Sequence, residues 1–498
     1  MLSLPASVVC YSLCPFLGPS DLLNLRVTNS RLLEVLHDEA ESEELWKVML
    51  IRDFGFQKDA KTDDWWQQTL RVEFPIPSCS SVFGIDPGME SPLLDAKSAF
   101  DSWKVWLRAS RRFFEDLPNG EDAKQLIHGP YFLRAARMWQ QIYSWCNHNP
   151  SLGTMIKQSF QRGLRFKDWD SRYRSEKGLQ AAQAIYAYCG GQKVAMYSID
   201  GFDGLFGGYQ AYNYYCNSHL APPGKPLGDN KHMVVSQCIF SNMNRMPKIF
   251  AVNMESGCLS LLTPSQPKTR AIKDTSVAPE EELLIWMEEF TRRLTAGMIG
   301  TGTMGSTPQD PASITLYPRW TNPPPILLPE QRVPHCSYSV TRGVEVVASA
   351  IYAPQAVESF GFIYSIRIRL VTPTSRDSRT GDHGDSSNYM SPSERGFETC
   401  QLHMRQWQIT NFESGHTDSV HGEGVIGMFP ILREGGYTDG GESFDGAFQY
   451  QSCSGPIQKG SFGGSLTFVP GCIDQPTGPP FEVELKPFLL DNSPAILY

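Results

Sequence analysis

The chain has 498 residues, a formal net charge of -9 and a pI near 5.7, room for two to four domains with cores of their own. Its acidic balance argues against nucleic acid as the main partner, and no apolar run reaches the length of a membrane span. Twelve scattered cysteines, none spaced C-x-x-C, argue against a disulfide scaffold and a zinc site, and fit a reducing compartment, cytoplasm or nucleus.

Residues 2–54 read as three short helices. Pro5 suits a first helical turn, where its missing N–H has no intrahelical partner to lose. Gly18–Pro19 stops one helix and starts the next, Leu22, Leu25, Leu32 and Leu36 make an apolar stripe, and Ser42 caps a third helix with Leu45 and Trp46. A signal peptide fits poorly, because the uncharged start has no basic region and Pro5 and Pro15 interrupt it. The ordered set Leu4–Pro5, Leu17, Asp21–Leu22, Leu25–Arg26–Val27 and Leu45–Trp46 resembles an F-box, the module that docks a protein on a Skp-type adaptor of a cullin-RING ubiquitin ligase. That resemblance implies residues 1–54 as the F-box and Leu4, Pro5, Leu17, Leu22, Leu25 and Trp46 as its apolar anchors.

Residues 55–115 read as a helical connector, with Trp65, Trp66, Trp103 and Trp106 on short stripes. The basic cluster Arg108, Arg111 and Arg112 reads as a solvated helix face. Residues 116–297 read as a mixed α/β domain. A helix capped by Ser175 is expected to end at Gly190–Gly191, strands are expected at 194–199, 234–240, 249–253 and 259–262, and a helix opened by Pro279 is expected to stop at Gly297. Tyr188–Gln192, Gly204–Tyr209 and Leu283–Leu294 resemble the SUKH superfamily, which implies a protein-binding groove and not a catalytic site. No counterpart is read over 116–175.

Eight prolines between Pro308 and Pro334 mark 298–335 as a Gly/Pro-rich linker. Its Gly300, Gly302 and Gly305 match a dinucleotide fingerprint on paper, but they follow a helix and not a strand. Residues 336–491 read as all-β. Phe362, Tyr364, Ile366, Ile368 and Leu370 alternate as in a half-buried strand, further strands are expected at 344–352, 401–409, 448–451, 465–469 and 481–489, and a parity shift between Met404 and Trp407 predicts a bulge. A polar insert is expected at 372–399 and a Gly-rich loop at 435–441. Cys400–Gln401–Leu402, Arg405–Ile409, Val420–Gly427, Tyr450–Cys453 and Gly460–Phe468 resemble the ApaG domain, which implies a fibronectin-type sandwich.

Gly422, Gly424 and Gly427 are the one candidate anion-binding motif, since glycines let successive N–H groups converge. No lysine lies within it; Arg405 and Arg433 are the nearest cations in sequence. His416, His421, Asp418 and Glu423 share the region as loop residues. No P-loop, H-E-x-x-H or G-x-S-x-G is present, so no catalytic residue, metal or cofactor is expected. The expected fold is multidomain α+β: a three-helix F-box, a SUKH-like α/β domain and an ApaG β-sandwich. This order resembles F-box proteins of the plant Skp-interacting type, with the animal F-box/ApaG proteins more distant. It implies a non-catalytic substrate receptor of a Skp–cullin–F-box ligase, with the adaptor, cullin through it, and a substrate protein as partners, and with neither nucleic acid nor membrane. The alternative is a pyrophosphate- or nucleotide-binding ApaG sensor whose F-box serves only its own turnover.

Overall fold

The structure, a computed structural model, describes residues 129–498 apart from residue 175 and the stretches 194–203, 212–213, 225–226, 228–230, 240–247, 264–267, 304–311, 321–332, 357–360, 374–388 and 456. The expected F-box, the connector and the strand at 194–199 lie outside the described residues.

Two helices, α1 (Gly129–His148) and α2 (Pro150–Ser159), come first. Ala135, Met138, Trp139, Ile142 and Cys146 recur at helical spacing and bury one face of α1. Gly153 lets α2 pack close behind it, because an added Cβ would sit 2.1 Å from the Cys146 carbonyl oxygen. Strand β1 (Phe160–Arg162) pairs with β2 (Cys189–Gln192), and α3 (Gln180–Tyr188) lies between them. This corrects the expected helix stop at Gly190–Gly191. Cys189 is already extended, and the two glycines run in a buried strand; a Cβ on Gly190 would meet the Arg162 carbonyl at 2.4 Å.

The main sheet contains β3 (Gly207–Ala211), β4 (Tyr214–Leu220), β5 (His232–Ile239), β6 (Ile249–Asn253), β7 (Leu259–Leu262), β8 (Thr269–Arg270), β9 (Gly300–Thr303) and β10 (Ala312–Thr315). Its order is β8-β7-β6-β5-β4-β3-β10-β9. The linker expected over 298–335 is corrected in its first half: β10 lies parallel to β3, and β9 pairs with β10. Ile299, Ile314, Leu316 and Tyr317 are buried, and their burial draws this glycine- and proline-rich stretch into the sheet.

Helix α4 (Glu282–Thr295) follows a 3-10 turn at Pro279–Glu281 and ends before Gly297, whose φ of +70 suits glycine. It is buried all round. Its inward acids are paired: Glu282 with Arg270, Glu288 with Arg134 at 2.6 Å, and Glu289 with Arg292 at 2.6 Å and Arg293 at 2.8 Å. Burial alone would raise the Glu289 pKa, but Arg293 and Arg292 hold it below the ordinary carboxylate value.

The rest is a sandwich. Its strands are β11 (Cys336–Thr341), β12 (Val344–Tyr352), β13 (Phe362–Leu370), β14 (Cys400–Asn411), β15 (Thr417–Glu423), β16 (Ile431–Arg433), β17 (Gly436–Asp439), β18 (Glu442–Asp445), β19 (Phe448–Ser454), β20 (Lys459–Pro470) and β21 (Phe481–Asp491). One sheet runs β11-β12-β13-β19; the other runs β18-β17-β16-β14-β20-β21, with β15 paired to β14 alone. A short helix, α5 (Pro392–Arg395), sits in the expected polar insert. The expected loop at 435–441 contains β17 between two tight turns. The β14 register slips between Leu402 and Met404, just ahead of the expected bulge.

One apolar core crosses from the first unit into the second. Ala353, Ile363, Ile496 and Leu497 pack with the helices and sheet of the α/β unit. Phe362, Tyr364, Ile366 and Ile368 face the sandwich core instead, so β13 is buried on both faces over 362–366 and keeps the expected half-buried alternation beyond, where Arg367 is exposed and Arg369 partly so. Polar contacts reinforce the junction. Gln451 Oε1 accepts from the Gln210 amide at 3.0 Å and the Tyr317 hydroxyl at 2.9 Å, and Gln355 donates to the Tyr209 hydroxyl. The chain after β21 returns to the α/β unit. Ile496 bridges Ile272, Leu497 N donates to Ala271 O, and Trp286 Nε1 donates to Leu497 O at 2.7 Å. Tyr498 stacks on Trp286 with ring centroids 5.3 Å apart.

Candidate functional site

Leu4, Pro5, Leu17, Leu22, Leu25 and Trp46 lie outside the described residues. The glycine motif is described. Gly422 is the last residue but one of β15 and lies opposite Arg405; Gly424 and Gly427 form the turn that follows. Both turn glycines have positive φ, +54 and +78, and Ile426 between them is also left-handed at +44. A Cβ on Gly424 would lie 2.5 Å from the Met428 carbonyl oxygen.

The loop's polar groups are mostly engaged, within the loop or by β14. Gly424 N donates to His403 O at 2.8 Å, and Val425 and Met428 exchange hydrogen bonds at 3.0 and 2.8 Å. Arg405 approaches, as its position in sequence suggested, but Nη1 donates to the carbonyl oxygens of Glu423 at 2.9 Å and Gly424 at 2.6 Å. Arg433 turns away to Asp445 at 3.4 Å. His416 Nε2 and Asp418 Oδ1 are 3.0 Å apart in solvent. Among the described residues no three His, Cys, Asp or Glu side chains gather as a metal site.

Around the loop, β15 is exposed along its whole length except Gly422. Met404, Val420 and Ile426, each about two-fifths exposed, are large apolar side chains on or beside this hairpin. On the outer face of β14 and β20, Gln406, Gln408, Thr410, Ser461 and Ser465 line a shallow groove of about 290 Å³ floored by Gly463 and Gly464. All of these but Thr410 fall within two of the stretches that resemble the ApaG domain, though nothing in the sequence marked them as one face, and Glu484, Leu485 and Pro487 of β21 complete the lining.

A third cluster, which no sequence motif marked, lies in the α/β sheet. Cys216 and Cys238 bring their Sγ atoms to 3.1 Å in full burial, and the buried Lys248 ammonium lies 5.0 Å from the Tyr209 ring centroid. Burial raises the Cys238 thiol, whereas the Cys238 contact and Lys248 hold Cys216 below the ordinary thiol value in spite of burial. No helix among the described residues is long and apolar enough to cross a membrane.

The ApaG domain family matches residues 353–470, the span from the end of β12 to the end of β20. Protein ApaG of Rhodospirillum centenum is 36% identical over 98 residues, 20% of this chain and 63% of that protein. Protein ApaG of Brucella abortus is 29% identical over 156 residues, 31% of this chain and 91% of that protein. The F-box protein SKIP16 of Arabidopsis thaliana is 30% identical over 420 residues, 75% of this chain and 85% of that protein. Matched at that identity over most of its relative's length, the chain belongs to the family of the F-box protein SKIP16 and carries an ApaG domain in its C-terminal part.

Proposed function

We propose that this protein is the substrate-recognition subunit of a Skp–cullin–F-box ubiquitin ligase. The observation that carries the reading is the extended match to an F-box protein, 30% identical over 75% of this chain. In this reading residues 1–54 are the F-box, 55–115 a connector, 116–297 a SUKH-like domain and 336–491 the ApaG sandwich, with the boundary at 298 moved to follow β9 and β10. Leu4, Pro5, Leu17, Leu22, Leu25 and Trp46 anchor the adaptor, and cullin joins through it. The remaining domains hold a substrate protein. The chain forms and breaks no bond itself: it raises the effective concentration of a substrate lysine near a charged conjugating enzyme. The continuous core between α/β unit and sandwich supports this role, because a rigid receptor holds its cargo at a fixed reach.

The test is co-purification with a Skp-type adaptor, full chain against a Leu4→Ala/Pro5→Ala/Leu22→Ala variant. Binding by the parent and its loss in a variant that stays folded is the expected result. A parent that retains no adaptor overturns the reading. The second reading, an ApaG anion sensor, rests on Gly422, Gly424, Gly427 and Arg405. It ranks second because Arg405 already donates to two carbonyl oxygens and the Gly424 and Val425 amides are engaged. Calorimetry of the full chain with pyrophosphate tests it; no heat at millimolar ligand removes it.

A further inference from the structure

Among the described residues strand β15 pairs on one side only, with β14. Its register and hydrogen bonds fix which backbone groups are left over. Asn411 N donates to His416 O and Gly424 N to His403 O, and antiparallel pairs alternate between hydrogen-bonded and open. Asp418, Val420 and Gly422 therefore turn their N–H and C=O toward β14, whereas Thr417, Ser419, His421 and Glu423 turn theirs outward. Among the described residues no backbone partner is found for this outer row, and Arg405 Nη1 occupies the Glu423 carbonyl oxygen at 2.9 Å, which leaves Thr417, Ser419 and His421 and the Glu423 amide open.

Sheet edges normally carry a guard: a lysine, a proline, a bulge or a covering segment. Strand β15 reads Thr-Asp-Ser-Val-His-Gly-Glu, with neither lysine nor proline, and its ladder with β14 runs without a register break. Its charged residues are Asp418 and Glu423. The surrounding stretch, residues 411–445, holds seven acidic residues (Glu413, Asp418, Glu423, Glu434, Asp439, Glu442 and Asp445) against the single arginine Arg433. Self-pairing is opposed by this charge. Two copies paired along this edge would bring two such acidic stretches together, and the crowded like charges oppose the pair.

We propose that the outer edge of β15 is the docking site for a basic, extended segment of a substrate protein, which adds to the ApaG sheet as a further strand. Backbone hydrogen bonds to Thr417, Ser419 and His421 and to the Glu423 amide give the affinity. Asp418 and Glu423, which point to opposite faces, select lysine or arginine on either side of the added strand. The inference rests on the substrate-receptor reading for the nature of the cargo.

The probe is a fluorescein-labelled heptapeptide alternating lysine and valine, with a glutamate–valine peptide as its counterpart, read by anisotropy against the full chain. The expected result is binding of the basic peptide alone. Ser419→Pro removes one outward N–H, leaves every charge and the β14 ladder in place, and is expected to weaken binding at least about tenfold with little change in melting temperature. Adaptor co-purification of the same variant is expected to match the parent. Equal binding by parent and Ser419→Pro shows plain charge attraction and overturns strand addition. No binding of the basic peptide, with adaptor retained, overturns the docking site and leaves the receptor reading standing. A concentration-dependent dimer that Ser419→Pro abolishes assigns the edge to a second copy and also overturns the proposal.

Discussion

Replacing Tyr498 with alanine tests the contact by which the chain after β21 returns to the α/β unit. The ring stacks on Trp286 at 5.3 Å and 28° and meets Phe290 at 5.9 Å. Two such aromatic contacts are worth roughly 1–2 kcal/mol together. The Arg293 guanidinium lies 4.8 Å from the ring centroid, and the hydroxyl donates to Trp286 O at 3.1 Å. These contribute about 0.5–1 kcal/mol each. With the apolar area uncovered on Trp286, the loss is about 3 kcal/mol. Tyr498→Phe keeps the stacking and is expected to cost only about 0.5–1 kcal/mol. The assay is urea unfolding of the full chain followed by tryptophan fluorescence. A lower midpoint and a red-shifted native spectrum are expected for Tyr498→Ala. An alanine variant as stable as the phenylalanine one would refute the claim that this ring holds the two units together.

Three further outcomes follow from the geometry. Gly424→Ala places a Cβ 2.5 Å from Met428 O in a left-handed residue and should cost about 2 kcal/mol, whereas at Gly422 the Cβ meets the movable end of Arg405 and the cost should stay near 0.5 kcal/mol; thermal melts of the pair check the ranking. Glu289 is held below the ordinary carboxylate value, so its ionised form stabilises the fold above about pH 4.3 and that contribution is lost as pH falls through its lowered folded value. Glu289→Gln should therefore weaken the protein at pH 7 and narrow the difference between pH 7 and pH 3; parallel stability curves would refute this. Among the described residues the buried Lys248 ammonium has no hydrogen-bond partner, so Lys248→Met should raise stability by about 1–2 kcal/mol at neutral pH, and a clear fall in the urea midpoint would instead show that Cys216 holds it as an ion pair.

Where hydrophobic period and punctuation agree, the sequence is a sound guide. The strands at 344–352 and 362–370 and the helix from Pro279 to Gly297 lie where their patterns place them, because alternation or amphipathic spacing is bounded there by turn residues. Gly190–Gly191 misleads because a glycine pair can mean a helix stop or a tight backbone approach, and only the nearby Arg162 carbonyl decides between them. Strands β9 and β10 are hidden by their length: four residues each, among glycines and prolines, carry too little period to show. Ile363 is the sharpest case, since alternation assigns it to the outside of a two-layer sandwich and nothing local reveals a third layer. Of the candidate site, glycines and arginine were legible as residue types. That Arg405 gives its hydrogen bonds to carbonyl oxygens was not, because donor direction is fixed by the β14–β15 register.

Ile363 also has a consequence for how this protein can be taken apart. Strand β13 is a party wall, with one face papered by the sandwich and the other by its neighbour. An ApaG piece cut free at residue 336 would keep its own rooms in order and leave the far side of that wall open to the weather, with Ile351, Ile363 and Cys453 wet. Such a piece would answer binding questions with a stickiness that the whole chain lacks. The same wall binds the two units in their histories: a change on one side of β13 must be tolerated by tenants on the other.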